Sequence, residues 1–173
     1  MKRVNYQKGA FTVELAFGMT ILIIMMFFIG DLAALLSAKT QSGQVSYAIA
    51  TATKERSRFF EGRHTLSEDD FDLLNSIAGD MLEHQAPEKQ DGYGITIEGF
   101  DDKGSESFTK PFDDNETCQP STSIEHLGHL RPKREDGVMF PIYQVTICIK
   151  MEGTSQYFPG MRYVKSSSVL PGR

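Results

Sequence analysis

One stretch near the start limits what this chain can fold into. Residues 10–36 are almost wholly apolar, and residues 15–30 (LAFGMTILIIMMFFIG) contain no charged side chain. The hydrocarbon core of a bilayer is about 30 Å thick and takes roughly 20 helical residues to cross, so the run is long enough to span one. The residues before it, MKRVNYQKG, carry Lys2, Arg3 and Lys8, whereas the nearest basic residue beyond it is Lys39. Lys and Arg are enriched on cytoplasmic flanks, which predicts a cytoplasmic N-terminus with the body on the other side. No second apolar run of this length follows, so the expectation is a single-pass protein.

Three readings compete for such a segment. A removable secretory signal has an apolar core of about 7–15 residues, shorter than this one. The residues near Leu36-Ser37-Ala38 also offer no clean pair of small residues for a cut. An uncleaved signal anchor explains the length but has no need of Glu14. A carboxylate costs about 2.5–3.5 kcal/mol at the centre of a spanning helix and less near the interface. Glu14 is the fifth residue if the chain is cut after Gly9, directly behind a short basic leader.

That arrangement, Lys8-Gly9-Ala10-Phe11-Thr12-Val13-Glu14-Leu15, resembles the processing site of type IV pilins and their relatives. The resemblance implies a prepilin peptidase that cuts between Gly9 and Ala10, commonly methylates the new amine and leaves the helix as an anchor. It also gives Glu14 a role in subunit docking, because a carboxylate can neutralise the new α-amino group of a neighbouring subunit in apolar surroundings. Lys2, Arg3 and Lys8 set the orientation.

Past residue 36 the chain turns polar without a strong breaker. Val45, Ile49, Ala52 and Phe59 recur at helical spacing, which predicts that the spanning helix continues as an amphipathic stem over 37–60, weakened at Gly43 and stopped near Gly62. A second helix is announced by Ser67 as cap, Asp70 at the capping-box position, and Leu66 with Phe71 as a hydrophobic staple. Its predicted apolar face is Phe71, Leu74, Ile77, Ala78, Met81 and Leu82, ending near His84, and it should pack on the stem or on a sheet. Alternation at Tyr93, Ile95 and Ile97, a turn at Asp101-Asp102-Lys103-Gly104 and a return over 105–108 predict a hairpin. Residues 109–137 read as a long surface loop. The clearest strand spans 140–151, with Tyr143, Val145, Ile147, Ile149 and Met151 on one side. A last strand over 161–170 is followed by a tail expected to fray.

The two cysteines, Cys118 and Cys148, both lie beyond the membrane segment. In an oxidising periplasm such a pair reads as a disulfide. A buried free thiol at Cys148 and a metal pair needing further ligands are the alternatives. Of the four histidines, His64, His84, His126 and His129, only the last two have a spacing that suits a metal, and no third ligand accompanies them. Asp113, Asp114 and Glu116 lack the EF-hand pattern. Asn115-Glu116-Thr117 matches a glycosylation acceptor, a short and common pattern. No nucleophile elbow, phosphate-binding glycine loop, dinucleotide fingerprint or zinc-protease motif occurs. The formal net charge of −5 disfavours nucleic acid, whose phosphates select clustered Lys and Arg.

Two regions narrow the family. GAFTVELAF resembles the pseudopilins of the tight-adherence (Tad) pilus system, and Pro141-Ile142-Tyr143-Gln144-Val145-Thr146-Ile147-Cys148, with Cys118-Gln119-Pro120 before it, resembles TadF. The Tyr-Gln-Val-Thr-x-Cys strand favours TadF over TadE, and Leu15 departs from the Tyr that follows the Glu in major Tad pilins. The resemblance implies an α+β, pilin-like fold: a long membrane-spanning helix, a second helix and a small antiparallel sheet. It divides the chain into a leader (1–9), a transmembrane helix (10–36), a stem helix (37–60) and a periplasmic domain (61–173). The function implied is that of a minor pseudopilin of an adhesive Tad pilus in the bacterial inner membrane. Its partners would be the prepilin peptidase, other pilins and the assembly machinery, without cofactor, metal or catalysis. The rivals are a signal-anchored periplasmic binding or scaffolding protein and, more distantly, a tethered enzyme using His126 and His129.

Overall fold

A single long helix carries the chain from the apolar run into the head. The computed structural model describes residues 8–55, 65–85, 92–112, 117–135, 137–151 and 163–172. α1 spans Lys8–Lys54, 47 residues, or about 70 Å at 1.5 Å per residue. Over residues 11–30 every side chain is exposed, large apolar ones on all sides of the helix. From Ala38 onward the surroundings change: Ala38, Ser42, Val45, Ser46, Ile49, Ala50 and Thr53 are buried, the three-and-four spacing of a helix lying on a surface. Val45 and Ile49 enter the main core as their periodicity predicts, and Ala52 packs at its margin. Gly43 does not interrupt the helix. The continuation predicted over 56–60, and the stop at Gly62, lie outside the described residues.

α2 spans Glu68–Gln85 and begins as its sequence announces. The Ser67 N–H donates to Asp70 Oδ2 at 3.1 Å and the Asp70 N–H donates back to Ser67 Oγ at 3.3 Å, a reciprocal box that satisfies two orphan amides. Leu66 and Phe71 are both buried in the core, as a staple requires. Phe71, Leu74, Ala78 and Leu82 face inward with Met81 at the margin. Ile77 does not belong to that face: it remains 38% exposed, because the inward stripe runs through its neighbour Ala78 and carries Ile77 a helical step off it.

The sheet comprises β1 (Tyr93–Phe100), β2 (Ser105–Lys110), β3 (Ile142–Lys150) and β4 (Tyr163–Pro171), antiparallel throughout in the order β2-β1-β3-β4. Asp101 Oδ1 accepts from the Lys103 and Gly104 amides, and Gly104 takes φ +138, so the β1–β2 turn forms where its sequence predicts. Tyr93, Ile95, Ile97, Tyr143, Val145, Ile147 and Ile149 pack against both helices in one core. This is an α+β, pilin-like architecture with a long apolar N-terminal helix, a second helix and a small four-stranded antiparallel sheet.

Two further expectations are corrected. Residues 109–137 are not merely a surface loop. β2 continues to Lys110, and a 3-10 helix forms at Ile124–Leu130. Phe112, Cys118 and Ile124 are buried against the face of the sheet away from the helices. A Cβ on Gly94 would stand 2.9 Å from Phe112 N and 3.0 Å from Cys118 Cβ, so the segment lies directly on β1 as a strap. The strap explains why β1 and β3 are buried on both faces rather than alternating. Nor does the tail fray at once. Leu170 and Pro171 pair with Tyr143 and Ile142, and the Gly172 N–H donates to the Pro141 carbonyl at 2.7 Å.

Candidate functional site

The residues tied by sequence to processing and docking stand at the free end of α1. Lys8, Gly9 and Ala10 are its first three residues. Glu14 follows four positions after Ala10, about 6 Å along the axis. It is exposed, and it carries the only formal charge between Lys8 and Asp31. Phe11 and Phe17, one turn to either side, are 71% and 68% exposed. A carboxylate in such a setting can attract a cation brought by another chain into the same apolar layer. Lys2 and Arg3 lie outside the described residues.

At the other end of α1 the helix is fastened to the head by hydroxyls. Ser42 Oγ donates to Ser166 Oγ at 2.8 Å, and Ser46 Oγ reaches the Val145 carbonyl at 3.0 Å and Ser168 Oγ at 2.7 Å. Four helical residues rise about 6 Å and two strand residues about 6.6 Å, so the pairs Ser42/Ser46 and Ser166/Ser168 stay in step. Small side chains let the helix approach the strand closely. These serines are the functional positions that apolar periodicity overlooks. Their signal is a four-residue repeat on the helix matched to a two-residue repeat on the strand.

Cys118 and Cys148 come together across the strap and β3, with Sγ atoms 2.05 Å and Cα atoms 5.6 Å apart. Thr96 Oγ1 donates to the Cys118 carbonyl, and Gln144 Nε2 to the Thr122 carbonyl at 3.2 Å. At the far end of the strap Arg131 Nη2 pairs with Asp102 Oδ1 at 2.7 Å, while Nε donates to the Phe140 carbonyl at 3.0 Å. Glu98, which faces Gln144 across β1 and β3, is buried under the strap. That burial raises its pKa above the usual glutamate value; the Ile124 amide opposes the shift and Glu125 adds to it. His126 and His129 lie exposed on the 3-10 helix, and His129 Nδ1–H donates to the His126 carbonyl. Among the described residues no cluster of three or more metal-ligating side chains occurs. His64, His84 and the acidic residues 113–116 lie outside the described side chains.

The family model that matches this chain is TadF, described as "Putative tight adherence pilin protein F", and the match covers residues 2–173. The chain belongs to the TadF family. No curated protein and no solved structure matches it. TadF is a pilin family of the Tad pilus, a structural component with other pilus components as its partners. The bare apolar half of α1 is consistent with membrane anchoring, and the head beyond it has the pilin-like plan. Gly9, Ala10 and Glu14 on the bare half, and the paired cysteines of the head, thus fall in the two parts of one TadF chain.

Proposed function

We propose that this TadF protein is a minor pseudopilin required to assemble an adhesive Tad pilus. A prepilin peptidase removes residues 1–9 by cutting between Gly9 and Ala10. Residues 10–36 then hold the protein in the bacterial inner membrane as a single pass, N-terminus inside, with the head in the periplasm. Glu14 docks the helix against another subunit, and an oxidised Cys118–Cys148 pair staples the strap. The observation that best supports this reading is the composition of α1: 20 consecutive exposed, largely apolar residues carry one carboxylate a turn beyond Ala10, and the same helix is continuous with the head. An anchor alone requires the apolar residues but not the charge.

Intact mass of the protein from membranes is expected to show loss of residues 1–9, and Gly9→Ala or loss of the peptidase should restore the long form. A full-length N-terminus in cells with active peptidase would sink the proposal. Glu14→Gln separates it from a signal-anchored scaffold. A pseudopilin loses pilus assembly with the anchor intact, whereas a scaffold is unaffected.

A further inference from the structure

The back of α1, turned away from the head, is an exposed helix face almost without charge. Over residues 36–51 the exposed side chains are Leu36, Ser37, Lys39, Thr40, Gln44 and Tyr47, the last 57% exposed. Lys39 is the one charge among them, and its Nζ donates to the Lys165 carbonyl. α2 shows what a solvated helix face of this acidic head looks like: its exposed side chains include Glu68, Asp69, Asp72, Asp80 and Glu83. On the back of α1 even the hydroxyls turn to their own helix. Thr40 Oγ1 donates to the Leu36 carbonyl at 3.0 Å and Thr51 Oγ1 to the Tyr47 carbonyl at 2.8 Å.

The spacing matches the composition. From Gly30 and Ala33 through Ser37, Thr40, Gln44 and Tyr47 to Thr51, the face advances by alternating steps of three and four, the a and d positions of successive heptads. Ser42, Val45, Ser46 and Ile49, which are buried against the head, take the b, c and f positions. The head thus occupies one side of the helix and leaves the seam open. Gly30, Ala33 and Ser37 are small, so a second helix can come close where α1 leaves the bilayer. Gln41, Gly43 and Ala48, beside the seam, are neutral. Such a face meets itself without setting like charges opposite, which the acidic face of α2 cannot do. This inference rests on reading residues 10–36 as the span. Two copies held in one membrane enter it with the same polarity, so a faces a and d faces d. Gln44 then meets the partner's Gln44, and each amide can both donate and accept. Confinement to one bilayer raises the effective concentration, so a seam with little apolar bulk beyond Tyr47 suffices.

We propose that the back of α1 over residues 30–51 packs against the same face of a second copy of this chain, as a parallel two-helix pair. The test places one added cysteine at a time in the full-length protein, with Cys118 and Cys148 retained, and oxidises cell membranes with copper phenanthroline. Thr40→Cys, Gln44→Cys and Tyr47→Cys should each give a disulfide-linked dimer in which mass spectrometry finds this chain alone. Lys39→Cys and Ser76→Cys, exposed on other faces, should stay monomeric. Adding Gln44→Glu sets two carboxylates opposite one another and should abolish the Thr40→Cys dimer, whereas adding Gln44→Asn should keep it. The dimer should also persist with Glu14→Gln, because Glu14 falls off this seam by the helical count, so pairing and the docking proposed above are read separately. Dimers of equal yield at every position, or at none, would overturn the proposal. Capture of a different protein at Thr40, Gln44 and Tyr47 would also overturn it, by assigning the back of α1 to another helix. Recovery of the chain outside the membrane fraction is a distinct result that removes the span reading and the pair with it.

Discussion

The two halves of α1 belong to one unbroken helix and have opposite surroundings. Every large apolar side chain of residues 11–30 is more than half exposed, whereas residues 38–53 turn a narrow stripe of Ala, Ser, Val, Ile and Thr into the head. Bulk on all sides suits a helix whose solvent is lipid, because no face needs to be told from another. A small, hydroxylated stripe suits a helix that must lie against one particular strand. The first half is generic in its contacts and the second specific. Substitutions should therefore act on the head's stability in one half and leave it untouched in the other.

The sharpest contrast removes the same atoms from both. Ile49 is 1% exposed in the core, and Ile49→Ala is expected to cost the head about 2–5 kcal/mol. Ile24 is 63% exposed, and Ile24→Ala should leave the unfolding of the detergent-solubilised protein unchanged. Denaturant titration followed by near-ultraviolet circular dichroism in the tyrosine band reads chiefly the head, since the chain has no tryptophan and five of its six tyrosines lie at or beyond Tyr47. Equal losses from the two substitutions would break the division.

Next in size is the strap, held on the far face of the sheet. Reducing the Cys118–Cys148 pair, or replacing both by Ser, frees a 30-residue separation and should cost roughly 3–4 kcal/mol on the chain-entropy account. Exchange of amides over Ile124–Leu130 should rise more than that of α1, because Ser42 and Ser46 act on the other face. Uniform acceleration across the head would show that the staple holds more than the strap.

Local signals were legible wherever one stretch of chain carried the whole instruction. The apolar run, the Ser67–Asp70 box, the Asp101–Gly104 turn and the alternation through β3 each encode their own structure at short range. The strap was not legible, because its contacts are distant. Phe112 and Cys118 are apolar points in a polar stretch, and only contacts made at a distance in sequence, the backbone gap left by Gly94 and the Thr96 bond to the Cys118 carbonyl, show that they lie on β1. The attachment of α1 was half legible. Val45 and Ile49 reveal it by periodicity, whereas Ser42 and Ser46 read as solvent-facing until Ser166 and Ser168 are placed opposite. The end of the chain was misread for a related reason: the Leu170-Pro171-Gly172 tail is ordered by its pairing with β3 and its neighbour Pro141, not by its own propensity.

The serine contacts give the third test. Ser46→Ala removes hydrogen bonds to Val145 and Ser168 in a buried site and is expected to cost about 1–3 kcal/mol. Ser37→Ala, on an exposed position of the same helix, should cost nothing measurable. A null result at Ser46 would mean that α1 is held by Val45 and Ile49 alone, and the specificity assigned to its lower half would rest on shape rather than on hydrogen bonding.

The smallest effect separates the two faces of the sheet. On β1 and β3 the helix face is apolar, but the strap covers Glu98 and Gln144, whose Oε2 and Oε1 atoms are buried without hydrogen-bond partners among the described residues. A carboxylate cannot fill both needs: Gln144 Nε2 is used by the Thr122 carbonyl, and turning the amide would set its oxygen against that carbonyl. A protonated Glu98 can donate to Gln144 Oε1 while its other oxygen accepts from the Ile124 amide. Burial raises the folded-state pKa, so the folded head binds this proton more tightly than the unfolded chain. Stability from this group is complete below the ordinary glutamate value, declines as pH rises toward the raised folded value, and is constant above it. Glu125 is the nearby charge that reinforces this direction. Glu98→Gln keeps the shape, supplies a permanent donor and should flatten the dependence, with equal or greater stability at neutral pH. Denaturation midpoints of both proteins at pH 4.5 and 7.5 make the comparison. A wild-type midpoint that falls no more than that of Glu98→Gln across this interval would leave the strap face as indifferent to charge as the bare half of α1 is to its own side chains.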